Sequence, residues 1–266
     1  MFNEILTFGI FLLIGLEIRA GLEKPKAALL PALSALGGMA FPALIFKLLQ
    51  PESSAWATTM PTDVALAIGA LSLLGNRVNP AVRLFLLTLA VSDDLLSLAA
   101  IGVFFRDDLH LASAIYTLGA ALLGALLPWN QILTKILAPL VTFILIPLYI
   151  VLNLLLHLNF SEIVSTPSLS IAISRIVGKG LGITFFAYIG VRLFKLELPK
   201  NLDIKEIFGV GLLAGMGLTV SLVIADITLN SAVALDQVRM GLFLAALISG
   251  GLGLLWLKRF PASLSS

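Results

Sequence analysis

The sequence predicts an all-α, polytopic membrane protein, a bundle of about nine transmembrane helices. Three observations predict this fold class. Of the 266 residues, 59% are hydrophobic and 12% are charged, and the mean hydropathy is +1.06; a soluble domain has about twice that share of charge. The apolar residues form runs of nearly membrane-spanning length rather than amphipathic stripes. No polar linker divides them, so we expect one domain over residues 1–266.

The composition also excludes several classes of protein. A net charge of +2 is too small to indicate nucleic-acid binding, and the absence of cysteine excludes disulfides, thiolate metal sites and thiol nucleophiles. The chain enters its first apolar run almost directly, without a basic segment or a small-residue cleavage site, so we expect no signal peptide.

The apolar runs alternate with short charged segments, and these charges predict an orientation. Nearly all lysines and arginines that flank the runs fall on one face of such a bundle, and only Lys47, Arg106 and Arg239 fall on the other. By the positive-inside rule we expect the carboxyl terminus in the cytoplasm and the amino terminus outside. The predicted spans are, in order, Ile5–Arg19, Ala27–Leu49, Trp56–Gly75, Pro80–Phe105, Leu111–Leu127, Ile132–Leu158, Leu169–Lys195, Ile204–Ile227 and Leu235–Lys258.

Two of these runs contain residues that interrupt helices. In the third run, Pro61 lies among the hydroxyl and carboxylate side chains of residues 58–63, and in the eighth, glycines recur between Gly209 and Gly217. Each interrupted run lies between two longer ones, which gives two inverted triplets, residues 27–105 and 169–258, beside panel helices at 5–19 and 111–158. Interruptions at matching places in inverted halves predict a transport site at the membrane midplane. For a single interrupted helix, a packing role is the alternative.

Five ionisable residues lie well inside predicted spans: Asp63, Asp93, Asp94, Arg175 and Lys179. Each isolated charge at that depth costs about 2.5–3.5 kcal/mol. We therefore expect these groups to pair with one another or to line a water-filled path.

Asp93 and Asp94 are adjacent, with no other charge nearby along their run. Neighbouring positions on a helix differ by about 100° in direction, so one carboxylate can face a cation cavity while the other faces a second helix. Two carboxylates in a low dielectric resist ionising together, which suits a group that exchanges a proton for a cation. The alternative is a hydrogen-bonded pair that only holds helices together.

Lys179 is the expected counter-ion of this pair, because the glycines on either side let it approach a neighbouring backbone. Asp63 and Lys179 are also placed to offset the dipoles of the interrupted helices. Two positions are open for Arg175: it snorkels to the interface, or it joins the acidic site.

The histidines do not indicate a metal site. His110 and His157 lie near predicted span ends without a carboxylate cluster beside them, so we expect interfacial residues rather than ligands of a transition metal. Glu17 ends the first span beside Arg19, and we expect it at the cytoplasmic rim.

With these residues, the chain resembles the NhaA family of sodium/proton antiporters. A threonine–aspartate pair in an interrupted helix, an aspartate pair in the next long helix and a later glycine–lysine pair are together specific to that family. The matching stretches are FLLIGLEIR at 11–19, PALSALGGMAFPALIF at 31–46, PTDVALAIGALSLLGNRV at 61–78, LTLAVSDDLLSLAAIGVFFRDDL at 87–109, VGKGLGITFF at 177–186 and GVGLLAGMGLTVSLVIA at 209–225.

The resemblance implies a role for each site residue. Asp94 is implied as the principal carrier of cation and proton, and Asp93 as part of the site and the salt-bridge partner of Lys179. Thr62 is implied to lie near the cation, and Asp63 to balance charge at the helix ends. The implied Na⁺ ligands are thus Asp94, Asp93 and Thr62, and no cofactor is expected beside the transported Na⁺ or Li⁺ and H⁺.

The sequence also departs from the family. Typical members have twelve helices, so about three are missing here: the first, and about two between FFRDDLHLASA and IYTLGAALLGALLP. Both triplets remain, so we expect an intact ion-carrying core and, if a homodimer forms, a weakened interface. Ala20, Gly21 and Ile115 replace the charged and histidine residues associated with pH gating, and Arg175 replaces an apolar residue.

Together these features predict exchange of Na⁺ or Li⁺ for H⁺ across the bacterial inner membrane by alternating access, without enzyme activity. A non-transporting relic or assembly protein of the same fold is the main alternative. An intramembrane aspartyl protease would need a GxGD-like motif facing a second aspartate, and this chain has SDD. A sodium-coupled symporter is a further alternative, which the adjacent aspartates disfavour.

Overall fold

The computed structural model describes residues 2–21, 25–104, 115–127, 131–199, 202–229 and 231–260. Its described residues form helices joined by short turns, and no strand occurs among them. The all-α class predicted from the sequence is therefore confirmed.

The first half of the chain contains three long helices and one interrupted segment. Helix α1 is Phe2–Gly21, α2 is Pro25–Leu49 and α4 is Pro80–Phe104. Between α2 and α4, the chain forms a 3₁₀ helix at Ser54–Thr59, an extended stretch, and then α3 at Val64–Ser72. The interruption lies where Pro61 removes a backbone donor, as the sequence predicts.

The middle of the chain contains shorter helices. A π-helical turn, Ile115–Gly119, leads into α5, Ala120–Leu126. Helix α6 is Gln131–Leu140 and α7 is Ile146–Asn153, with the π-helical turn Val141–Leu145 between them. Two 3₁₀ turns, Leu155–His157 and Phe160–Glu162, connect α7 to the second half.

The second half contains two long helices with an interrupted segment between them. Helix α8 is Thr166–Arg192 and α11 is Ala232–Lys258. Between them, α9 is Ile204–Ala214 and α10 is Thr219–Thr228, and the two are bent by 49° at the break. Both predicted interruptions are therefore present at their predicted places.

Four helices among the described residues are long and apolar enough to cross a membrane, and α9 with α10 makes a fifth if the bent pair is one span. Large apolar side chains also cover the outside of the bundle: Leu73 is 78% exposed and Phe143 is 77% exposed. Charged side chains such as Asp93 and Lys179 are buried instead. Apolar groups outside and charges inside are the arrangement that a lipid environment favours.

Helices α2 and α8 pack closely because glycines meet at their contact. A Cβ added to Gly182 would lie 2.8 Å from Phe41 Cβ, and one added to Gly178 would lie 2.7 Å from Pro42 Cα. Only glycine therefore fits this approach without displacing the neighbouring backbone. The contact joins α2 to α8 and positions the segment of α8 that contains Arg175 and Lys179.

Candidate functional site

The carboxylate pair lies in the middle of α4. Asp93 is 1% exposed and Asp94 is 3% exposed. Lys179 of α8 is fully buried, and its Nζ lies 3.2 Å from Asp93 Oδ2. The structure thus places the lysine beside the first aspartate of the pair, the arrangement that the resemblance implies.

Lys179 also reaches the first interrupted segment. Its ammonium donates hydrogen bonds to the carbonyl oxygen of Met60 and, at 2.7 Å, to Thr62 Oγ1. Because Met60 follows the 3₁₀ helix, the positive charge lies at the carboxyl end of that helix, where the helix dipole favours it. One side chain therefore joins α8, α4 and the extended stretch.

Asp63 lies at the opposite ends of the interrupted helices. Its Oδ1 accepts from the Leu66 amide at 3.2 Å, which caps α3. Its Oδ2 accepts from Thr219 Oγ1 at 2.6 Å and from the Thr219 amide at 3.4 Å, at the start of α10. A single carboxylate thus faces the amino-terminal ends of two half-helices, where the helix dipoles favour negative charge.

Arg175 does not snorkel to the membrane interface. Among the contacts of the described residues, it also forms no direct pair with Asp93 or Asp94. It is fully buried one turn before Lys179. Its guanidinium donates to Thr58 O at 2.7 Å, Pro61 O at 2.7 Å, Gly215 O at 3.1 Å and Ser221 Oγ at 2.9 Å. The sequence shows that an extra charge is present, but only the structure reveals what it binds.

Several buried oxygens near the carboxylates have no hydrogen-bond partner among the described residues: Asp93 Oδ1, Asp94 Oδ1 and Ser97 Oγ. Ser97 follows Asp93 by one helical turn. Ser174 of α8 also has no hydrogen-bond partner among the described residues, whereas Ser34 and Ser92 donate to the carbonyl four residues earlier, at 2.7 and 2.9 Å. Three of the four unpaired buried side-chain oxygens among the described residues thus belong to the aspartate pair and to the serine one turn after it, where they can act as ligands for a cation.

A cavity of about 330 Å³ leads to Asp94. It runs from the exposed Ser72 inward and is lined by Thr62, Asp63 and Glu17. Its volume is large enough to hold water molecules, so hydrated ions can approach the second aspartate of the pair. Glu17, expected at the rim, is half-buried in this wall.

A second cavity, of about 140 Å³, lies toward the other end of the same helices and is lined by Asn3, Glu4 and Asp226 among others. Helices α1, α7 and α10 each contribute residues to both cavities, so a barrier of about one helical turn separates them. The residue pairs that lie one turn apart, one in each cavity wall, are Thr7 and Ile10, Tyr149 and Ile146, and Val223 and Val220.

The other residues singled out from the sequence lie away from this site or outside the described residues. The surroundings of Ala20, Gly21 and Ile115 lie outside what the structure describes, as does His110. His157 is exposed in the turn after α7. No group of three histidine, cysteine or acidic side chains that could hold a metal ion occurs among the described residues.

Buried charges that converge where two interrupted segments meet, within an apolar helical bundle, define a multi-pass membrane protein of the ion-transporting type. The sequence matches the family described as Na⁺/H⁺ antiporter 1 in two overlapping stretches, residues 1–134 and 128–257. The chain belongs to this family.

Individual relatives agree. The chain is 29% identical to Na⁺/H⁺ antiporter NhaA 2 of Aliarcobacter butzleri over 317 aligned positions, which cover 94% of this chain and 80% of the relative. It is 31% identical to Na⁺/H⁺ antiporter NhaA of Mannheimia succiniciproducens, over 93% and 81% of the two chains. Both alignments are longer than the 266 residues of this chain, so the relatives have internal segments that it lacks, as the sequence predicts.

Proposed function

We propose that the protein exchanges Na⁺ or Li⁺ for H⁺ across the inner membrane, with Asp94 as the carboxylate that binds one or the other. The observation that supports this most directly is the position of Asp94. It is buried at the inner end of a cavity that is large enough to hold water molecules, and its Oδ1 has no hydrogen-bond partner among the described residues. A carboxylate in that position can receive a proton or a small cation from the cavity, and binding of one excludes the other.

Asp93 and Thr62 complete the proposed site. Asp93 is held by Lys179 at 3.2 Å, so its charge is offset in the absence of a cation. Thr62 lines the same cavity as Asp94 and accepts from Lys179. A cation that reaches Asp94 would therefore recruit neutral and carboxylate oxygens, the ligands that Na⁺ and Li⁺ favour as hard cations. Lys179 then responds to the change in charge at Asp93.

The two cavities support alternating access. They approach each other from opposite ends of α1, α7 and α10 and are separated by about one turn. A modest shift of these helices relative to the crossing of interrupted segments would close one cavity and open the other. The larger cavity lies at the end of α1 near Arg19, a face rich in basic residues, which we assign to the cytoplasm.

The proposal also includes the membrane topology: nine spans, two inverted triplets and a cytoplasmic carboxyl terminus. Because the chain contains no cysteine, single cysteines placed in each connecting segment can be labelled from one side of the membrane without background. Labelling from the wrong side at any segment would contradict the assigned orientation. If the protein forms a homodimer, we expect it to dissociate more readily than those of full-length relatives.

Transport in everted membrane vesicles tests the function. Addition of Na⁺ or Li⁺ should release the proton gradient in vesicles with the wild-type protein, and Asp94→Asn should abolish this response because an amide cannot exchange a proton for a cation. Asp236→Asn is the matched control, since Asp236 pairs with Arg239 at the start of α11 rather than with the site. Unchanged cation-dependent proton movement in Asp94→Asn would refute the mechanism.

A wild-type protein that is folded and inserted but moves no protons in response to either cation would indicate the alternative, a non-transporting protein of the same fold.

A further inference from the structure

We propose that Arg175 is the positioning residue that keeps the two interrupted segments joined at the ion site, which leaves Lys179 free to respond to Asp93. This inference rests on the function proposed above. It concerns a side chain that the resemblance does not account for, because the resemblance implies an apolar residue at this position.

The contacts of Arg175 extend over both interrupted segments. Two of its bonds go to Thr58 O and Pro61 O, in the first segment, and two go to Gly215 O and Ser221 Oγ, in the second. The segments are far apart in sequence and belong to different halves of the chain. A fully buried side chain therefore links them directly at the place where they cross.

The chemistry of these partners suits a permanent cation. Gly215 caps the carboxyl end of α9, and Thr58 lies in the last turn of the 3₁₀ helix. Carbonyl oxygens at such ends have no helical partner and bear partial negative charge. Arginine remains protonated in proteins and presents its donors as a planar fork, so it can satisfy ends on both sides at once.

The absence of a side chain at Gly217 leaves room for the guanidinium of Arg175. A Cβ added to Gly217 would collide with Arg175 Nη2 and with Pro61 O, and would lie 3.0 Å from Thr62 Cα. The break in the second half therefore packs directly against the guanidinium and against the residue that is proposed to face the cation. Arg175 thus acts on the ion site through Thr62, without contacting Asp94 in the described structure.

The division of labour between Arg175 and Lys179 follows from their partners. Both lie on one face of α8, one turn apart. Lys179 is bonded to Asp93 and to the first segment, but none of its bonds reaches the second. If Arg175 holds the crossing, Lys179 can lose its contact with Asp93 during the cycle while the two segments stay together.

The test combines transport kinetics with a readout that does not depend on transport. Arg175→Leu, Arg175→Lys and the matched control Arg192→Leu are reconstituted in proteoliposomes. Arg192 is on the same helix but is exposed against the Tyr188 ring. We expect Arg175→Leu to raise the KM for Na⁺ by about 10- to 100-fold, the usual effect of losing a group that orients cation ligands. Arg175→Lys should lie between wild type and Arg175→Leu, and Arg192→Leu should match wild type.

Hydrogen–deuterium exchange in detergent provides the second readout. In Arg175→Leu, amide exchange should accelerate in residues 58–63 and in residues 215–221 together, although these segments are distant in sequence. If Arg175→Leu does not fold, Ser221→Ala removes a single bond of the guanidinium and should accelerate exchange in both segments to a smaller extent. Acceleration in one segment only would overturn the proposal.

The kinetic result can also overturn it. If Arg175→Leu lowers only the yield of folded protein and leaves the KM for Na⁺ equal to that of Arg192→Leu, Arg175 has a general structural role. Absence of cation-dependent flux in wild-type proteoliposomes would refute the proposed function instead, and the exchange experiment would still decide whether Arg175 joins the segments.

Discussion

The ion pair of Lys179 and Asp93 should contribute strongly to stability only while both partners are present. The two side chains are 0% and 2% exposed, and their charged atoms are 3.2 Å apart. Removing one partner of a buried pair leaves an uncompensated charge and costs about 3–5 kcal/mol. We therefore expect Lys179→Met and Asp93→Asn each to lower the free energy of unfolding by an amount in that range.

The double variant should be destabilised by less than the sum of the two single variants, because neither charge is then left alone. Contacting residues in one network show interaction energies of about 0.5–3 kcal/mol, and full burial places this pair toward the upper end. Titration with sodium dodecyl sulphate in mixed micelles, followed by circular dichroism, measures all four proteins of the cycle.

The pair of Arg239 and Asp236 is the matched comparison. Its atoms are 3.3 Å apart, but the side chains are 14% and 31% exposed, so the same cycle should give about 0–1 kcal/mol. Additive effects at Lys179 and Asp93, with an interaction energy no larger than in this comparison pair, would refute the view that the buried charges hold each other.

Three further outcomes are expected. Thr219→Val removes the 2.6 Å bond to Asp63 and should lower stability by about 1.5–3 kcal/mol, whereas Thr228→Val, which loses only a bond within its own helix, should have a smaller effect in the same titration. Gly182→Ala should destabilise by about 1–3 kcal/mol through its collision with α2, and Gly251→Ala, which meets nothing within 4 Å, should stabilise by up to about 1 kcal/mol. The proposed mechanism has protons compete with the cation at Asp94, so the apparent KM for Na⁺ should rise as the pH falls, by up to about tenfold per pH unit if one proton is displaced per ion; a KM that is independent of pH would contradict competition at one carboxylate.

The fold could be predicted from the sequence to the extent that it depends on local chemistry. Apolar runs gave the helices, and Pro61 and the glycines around Gly215 gave both interruptions, because these residues act on their own backbone. The packing of α2 on α8 could not be predicted, since it depends on which glycine faces which helix. Only the structure shows that Gly182 lies against Phe41.

The site shows the same division. Asp93, Asp94 and Lys179 could be identified because a charge in a membrane span is costly wherever it points. For Arg175, the sequence shows the same cost of a charge in a membrane span, but it does not show the partners of the side chain. These partners are backbone carbonyls and one hydroxyl in distant segments. Carbonyl partners leave no trace in the sequence, which is why snorkelling remained open. The only signal available was the matched pair of interruptions, each of which leaves a carboxyl end in need of a donor.

The geometry also explains how a chain with fewer internal segments than its relatives can retain the ion site. Among the described residues, the hydrogen bonds that join the interrupted segments, α4 and α8 at the ion site come from residues 58–66, 93, 175–179 and 215–221. The two stretches that match the family meet at residues 128–134, between these groups. Helix α7 and the π-helical turns Ile115–Gly119 and Val141–Leu145 border the cavities, but among the described residues they contribute none of the charges at the ion site. The cationic side chains of Arg175 and Lys179 bind the carboxyl ends of the interrupted helices, and Asp63 binds the amino ends. This arrangement therefore depends on contact between the two halves of the chain rather than on the helices between them. Loss of the intervening segments should therefore first alter the cavity walls, which must move during transport. The affinity of Asp94 for the cation should be affected only after that.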